Sequence, residues 1–306
     1  MTDTLIEKII QTKNPVCVGL DTAFEYLPDA MRKNCTTLSD AAQAITEFNL
    51  RLIERLKDVI PSVKVQAAYY EMYGVPGMQA FSDTLQAARK AGLIVIADAK
   101  RNDIGATASC YSAAFLGETD VNGLKLNAFS SDFLTVNAYL GADGIEPFLK
   151  HCRQNNKGIF VLVKTSNPSS GQLQNRKFEN GETLFETVAD LVEEWGADTV
   201  GKYGYSRVGA VVGATHPNEA SILRKRLKHT LFLIPGYGAQ GGSADGLSVC
   251  FDGRGLGGIV NNSRGILCAY KSDAYKGLNY IDAAYAAVED MQKDITSALH
   301  RAGKSL

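Results

Sequence analysis

A chain of 306 residues is long enough to bury one large core, and with 32 lysines and arginines against 33 acids it has no basic field to draw it to nucleic acid or an anionic membrane. Any charged ligand must therefore be held locally. Its six cysteines (Cys17, Cys35, Cys110, Cys152, Cys250, Cys268) show neither a CxxC pair nor a zinc-like spacing, and the N-terminus has no signal-type pattern. With no apolar run near the roughly eighteen residues of a membrane span, a reduced, cytoplasmic protein is expected.

Taken in chain order, short apolar runs rich in β-branched residues fall at Val16–Leu20, Val63–Ala67, Leu93–Ala97, Phe133–Val136, Ile159–Val163, Ala210–Val212, Leu231–Ile234 and Gly258–Val260. Between them lie segments with helical apolar spacing, among them Ala41–Leu56, Thr84–Lys90, Leu184–Trp195, Ala220–Leu227 and Ala283–Leu299. Eight strands alternating with helices, each strand apolar on nearly every residue, describe a parallel sheet covered on both faces. Polar and Gly-rich residues follow almost every strand. An open doubly wound sheet would gather them at one switch point, so the pattern favours an α/β fold, a single (β/α)8 TIM barrel over residues 1–306. No linker divides the chain. Two loops are long: Gly117–Asp132, and Asn167–Gly181, which follows a strand on the active side and is expected to act as a lid.

The chemistry concentrates where the third apolar run ends, in Asp98-Ala-Lys100-Arg-Asn-Asp103. Residues two apart on a strand share a face, so Asp98 and Lys100 are expected to point together into the barrel mouth, with Asp103 in the loop beyond. Lys64 at the end of the second strand can join them. Acids this close together need cations beside them, and at the C-terminal end of a barrel strand such a cluster reads as functional rather than as a surface ion-pair network. Further along, Pro235-Gly-Tyr-Gly-Ala-Gln240-Gly241-Gly and Ser263-Arg264 follow the last two strands, where this fold often grips a phosphate with glycine-rich backbone N–H groups and an arginine. Asp21 is either a helix cap or a ligand-binding carboxylate, Thr165 and Ser166 either satisfy local backbone groups or face a ligand, and His216 reads as a loop residue.

Asp98-x-Lys100-x-x-Asp103-Ile104 resembles the central motif of the orotidine 5′-monophosphate decarboxylases, and five further segments match that family in order from about residue 15 to 270. Cys17-Val-Gly-Leu-Asp21 is similar to its first strand, and Val63-Lys64-Val-Gln66 to its second, with Gln66 where some members have asparagine. Val163-Lys-Thr165-Ser166-Asn-Pro resembles its pyrimidine-contacting segment. The two Gly- and Arg-containing segments resemble its phosphate-binding elements, in the form carried by the longer bacterial branch.

The resemblance implies decarboxylation of orotidine 5′-monophosphate to uridine 5′-monophosphate, in pyrimidine biosynthesis, without metal or organic cofactor. It assigns Lys64, Asp98, Lys100 and Asp103 to a catalytic tetrad, with Lys100 donating a proton to C6. Asp21 is implied at the ribose, Gln66 in contact with the nucleotide, Thr165 and Ser166 near the base, and Pro235, Gln240, Gly241, Ser263 and Arg264 at the phosphate. It further implies a homodimer in which Asp103, Ile104 and Thr107 complete the partner's site. The rivals are a Mg-dependent sugar-phosphate decarboxylase or synthase of the same superfamily, which uses an acid where Lys64 stands, a more distant imine-forming barrel aldolase, and a non-catalytic nucleotide-binding barrel.

Overall fold

In the computed structural model, which describes residues 1–238 and 241–306, eight parallel strands close into a barrel. They are β1 (Val16–Gly19), β2 (Ser62–Gln66), β3 (Ile94–Arg101), β4 (Phe133–Val136), β5 (Gly158–Lys164), β6 (Val208–Val212), β7 (Phe232–Pro235) and β8 (Gly258–Asn262). Each pairs with its neighbours in chain order, and β8 closes onto β1 through Val16 opposite Val260 and Val18 opposite Asn262. All eight expected runs are strands. The largest difference in extent is at β3, which continues through the charged residues to Arg101.

Alternation of side chains sorts the strand residues into two apolar cores. Outward residues such as Val18, Val63, Val95, Leu134 and Val161 pack under the helices, whereas Ile96, Phe133, Phe160, Leu233 and Ile259 fill the barrel interior. The interior is filled so tightly that a Cβ on Gly209 would collide with the Phe160 ring. The N-terminal helix Thr2–Thr12, not anticipated from the pattern, sends Leu5, Ile6 and Ile9 into this same interior cluster and plugs the barrel.

The helices form for readable reasons. Leu38–Leu56 starts with a reciprocal capping box between Thr37 and Asp40, and Leu184–Gly196 with one between Thr183 and Glu186, each worth about 1 kcal/mol. In the first, Ala41, Ile45, Phe48, Leu52 and Leu56 form the buried stripe. The Gly117–Asp132 connection is not a plain loop. It carries an exposed antiparallel hairpin, Thr119–Val121 with Leu124–Leu126, and because it joins a helix end to the start of β4 it lies at the end of the barrel away from the strand C-termini.

Near that same end, Asp132 and Lys157 form a buried pair at 3.0 Å, and the second Asp132 oxygen accepts the Val95 N–H at 3.0 Å. Removing one partner strands the other charge in the core. Asp132→Ala should therefore lower the unfolding free energy by about 3–5 kcal/mol. Urea denaturation checks this, and a loss below about 1 kcal/mol would show that the pair is not structurally important.

Candidate active site

The C-terminal ends of β1, β2 and β3 hold a continuous line of alternating charge. Lys64 Nζ lies 2.8 Å from Asp21 Oδ1 and 3.0 Å from Asp98 Oδ2, and Lys100 Nζ lies 2.6 Å from Asp98 Oδ1. Asp98 also accepts from Gln66 Nε2 at 2.9 Å and Thr135 Oγ1 at 2.8 Å, so four donors surround one carboxylate. The side chains of Lys64 and Asp98 are 4% and 8% exposed, whereas Lys100 is 45% exposed and faces open space. The line is thus anchored at a buried end and offers a cation at the other.

Burial by itself would push the Asp98 carboxyl up, but the ammonium groups of Lys64 and Lys100 outweigh it and hold Asp98 well below the usual carboxylate range. Burial likewise disfavours charge on Lys64, and the carboxylates of Asp21 and Asp98 reverse that effect and raise it above the ordinary lysine value. Both groups stay charged across the neutral range.

Local structure fixes this geometry. Lys100 has a left-handed backbone with φ of 47°, uncommon for a residue with a Cβ, at a register irregularity between β3 and β4. Its N–H is held by Thr135 Oγ1 at 2.9 Å, so Thr135 supports both the carboxylate and the backbone of the cation. Behind β1, Thr22 donates to Asn49 at 2.7 Å, Asn49 to the Tyr70 hydroxyl at 2.8 Å, and Tyr70 to the Leu20 carbonyl at 3.1 Å. That buried chain brackets Asp21, which caps no helix and instead pairs with Lys64.

Asp21, Lys64, Asp98, Lys100 and Thr135 line a cavity of about 680 Å³, together with the apolar Leu162, Val211 and Leu233. Gln66, Thr165, Ser166, Pro235, Ser263 and Arg264 line it as expected. Among the described residues the Arg264 guanidinium makes no ion pair, leaving it open to an anion. Thr165 is bonded locally, accepting from Gln174 Nε2 at 2.8 Å and donating to Asn167 Oδ1 at 2.6 Å.

Other expected residues stand apart. Asp103 accepts the Ile104 N–H at 2.8 Å and does not line this cavity, while Ile104 is 53% exposed and Thr107 also faces outward. Gly241 is exposed and outside the cavity lining, and Gln240 lies outside the described residues. The glycine amides expected to face a phosphate are turned into their own loop: Gly238 donates to Gly242 O, Gly241 to Gly238 O, and Gly242 to Gly236 O. Positive φ angles of 68° and 92° at Gly238 and Gly241 show that these glycines are needed for the turn itself.

The Asn167–Gly181 segment is partly helical, with short turns at Pro168–Ser170 and Gly171–Gln174, and it brings Asn167 and Gln174 to the cavity rim. Lys164, buried at the end of β5, donates to Ser170 Oγ at 2.9 Å and Asn175 Oδ1 at 3.1 Å and ties the segment down. Thr135 and Gln174 were missed in the sequence. Strand parity could have found Thr135, a lone polar residue two after the inward Phe133; nothing local marks Gln174.

A closed barrel whose mouth sets cations and carboxylates in contact beside an apolar wall defines an enzyme that acts on a small anionic ligand through arranged charge. The chain belongs to the Orotidine 5′-phosphate decarboxylase / HUMPS family, whose profile matches residues 14–275. It is 42% identical over 293 residues to the orotidine 5′-phosphate decarboxylase of Rhodopirellula baltica, covering 94% of this chain and 96% of the relative. The Clostridium botulinum enzyme of the same name is 43% identical over 294 residues, with 96% and 98% covered. A solved structure of the Leishmania donovani OMP decarboxylase matches with a TM-score of 0.74 at 29% identity, over 98% of each chain.

Because folding lowers the Asp98 pKa, its charge stabilises the fold above the unfolded carboxylate value of about 4, and that contribution is lost as pH falls towards the folded value. Asp98→Asn should lower stability by about 3 kcal/mol at pH 7, with the deficit narrowing below about pH 4 as the carboxylate of the unfolded wild-type chain takes up a proton. Urea titrations at pH 7 and pH 3 compare the two. An equal deficit at both would show that the charge is not the source.

Proposed function

We propose that this protein decarboxylates orotidine 5′-monophosphate to uridine 5′-monophosphate, a step of pyrimidine biosynthesis, and that it does so without metal or organic cofactor, with Lys100 as the proton donor to C6. Family membership carries the reaction, and the 2.6 Å contact between Asp98 and Lys100 at the cavity carries the assignment of roles. Breaking the bond from C6 to its carboxylate leaves an electron pair at C6 that the pyrimidine ring delocalises poorly. An ammonium held beside that carbon stabilises the developing charge, then transfers its proton there as CO₂ departs. Solvent restores the proton on Lys100.

Asp98 positions Lys100 and opposes the substrate carboxylate, which favours departure of CO₂. Lys64 offsets the charge of Asp98 and keeps Asp21 oriented for the ribose. Thr165 and Ser166 are assigned to the base and Arg264 to the phosphate, whose remote binding energy is directed to the reacting carbon. A divalent metal is disfavoured because a lysine stands between Asp21 and Asp98, and both carboxylates already have ammonium partners.

A homodimer completes the assignment. Exposure of Ile104, with Tyr139 and Leu140 also exposed, supports a second copy of the chain packing there and receiving Asp103, Ile104 and Thr107 into its site. The Asn167–Gly181 segment then serves as a lid over the nucleotide. A reduced, cytoplasmic setting suits six cysteines that are all free.

Loss of orotidine monophosphate, followed by ultraviolet absorbance with EDTA-treated protein, should proceed at full rate in the wild type. It should be abolished in Lys100→Ala while uridine monophosphate binding persists. Activity that vanishes with EDTA and returns with Mg²⁺ overturns the cofactor-free reading, and near-normal turnover by the variant overturns the role of Lys100.

Mixing inactive Lys100→Ala and Asp103→Ala proteins tests the shared site. Random pairing of equal amounts makes half the dimers mixed, each with one intact site if Asp103 acts across the interface, so about a quarter of all sites should recover. No recovery, with subunit exchange confirmed by mass spectrometry, places Asp103 in its own chain's site.

A further inference from the structure

We infer that Asn261 is a further substrate-contacting residue, its side-chain oxygen accepting a hydrogen bond from a ribose hydroxyl of the nucleotide; this rests on the decarboxylase reading above. On β8, Ile259 packs in the barrel interior, and alternation turns Asn261, two residues on, inward at the cavity. The cavity-lining residues on β5, β6 and β7 below the rim include Leu162, Val211 and Leu233, so an amide here interrupts an apolar wall. Asn261 is 7% exposed, and its Oδ1 is buried with no hydrogen-bond partner among the described residues.

A buried amide oxygen left unpaired is unfavourable, so its place in a cavity calls for a donor that arrives with the ligand. Position narrows the donor. A Cβ added to Gly19 would lie 2.9 Å from Asn261 Oδ1 and would collide with Ser263 Oγ, a second buried and unpaired polar atom. Gly19 therefore leaves room for both groups at one spot, two residues from Asp21 and beside the chain leading to Arg264. The neutral amide lines the same cavity as the carboxylate assigned to the ribose and the guanidinium assigned to the phosphate. Phosphate ionised at neutral pH offers acceptors chiefly, whereas ribose hydroxyls are the donors in that half of the nucleotide.

Calorimetry of uridine monophosphate and its 2′-deoxy and 3′-deoxy analogues, with wild type and the near-isosteric Asn261→Leu, tests this together with the melting temperature of the free proteins. Asn261→Leu should weaken uridine monophosphate binding by about three- to tenfold, the scale of one neutral hydrogen bond. It should leave one deoxy analogue unchanged, because that analogue already lacks the partner hydroxyl. The free variant should melt at or above the wild-type temperature, since an unpaired polar atom has been removed.

A fall in melting temperature with unchanged nucleotide binding would make Asn261 a structural residue and overturn the assignment. Equal weakening for all three ligands would overturn the ribose hydroxyl as its partner. If the leucine variant does not fold, Asn261→Ala supplies the same comparison. Wild-type turnover of orotidine monophosphate is the control: its absence overturns the decarboxylase reading and this inference with it, whereas normal wild-type activity with an unaffected variant overturns this inference alone.

Discussion

A buried carboxylate between two ammonium groups is the constraint on which the rest of this molecule depends. Asp98 is 8% exposed, and such a charge is tolerable only with its lone pairs filled and opposite charge in contact. Lys64, Lys100, Gln66 and Thr135 fill them. Those partners come from three adjacent strands, β2, β3 and β4, so the pairing of the strands and the charge of the site are mutually dependent. A register slip of one residue would turn Lys64 and Asp98 out of the barrel and leave apolar side chains in their place.

The surrounding architecture divides the labour between rigid and adjustable parts. Strands and the Thr22–Asn49–Tyr70 chain hold Asp21, Lys64 and Asp98 in a densely packed frame, which keeps the charges oriented before any ligand arrives. The groups assigned to the base and phosphate sit on loops after β5, β7 and β8. There, Thr165 is bonded to Asn167 and Gln174, and the Gly238, Gly241 and Gly242 amides donate within their own loop. A nucleotide engaging these loops must exchange some of those bonds, which links binding at its far end to rearrangement near the reacting carbon.

The barrel and the charged ladder were legible in the sequence because both follow from the period of two along a strand. That period separates Val95 from Ile96 as outward and inward, and it carries Asp98 and Lys100 to the same mouth. Asp98, Lys100 and Lys64 came together as expected. Asp103, Ile104 and Thr107, which the resemblance assigns to a partner's site, lie outside this cavity in the single chain.

What the sequence alone determined was therefore the alternating eight-strand order, the β3 charge motif and the family resemblance, each read from short segments whose residues are close along the chain. Tertiary structure decided the rest. Lys64 joins Asp98 from 34 positions away because β2 and β3 pair, Thr135 joins them because β4 pairs with β3, and Asn261 meets Gly19 because β8 closes onto β1. The left-handed backbone at Lys100 also depends on a contact from elsewhere, the Thr135 hydroxyl on β4. Local periodicity reports which face a residue occupies; which residues share that face across strands is set by register, and register is a property of the closed barrel as a whole.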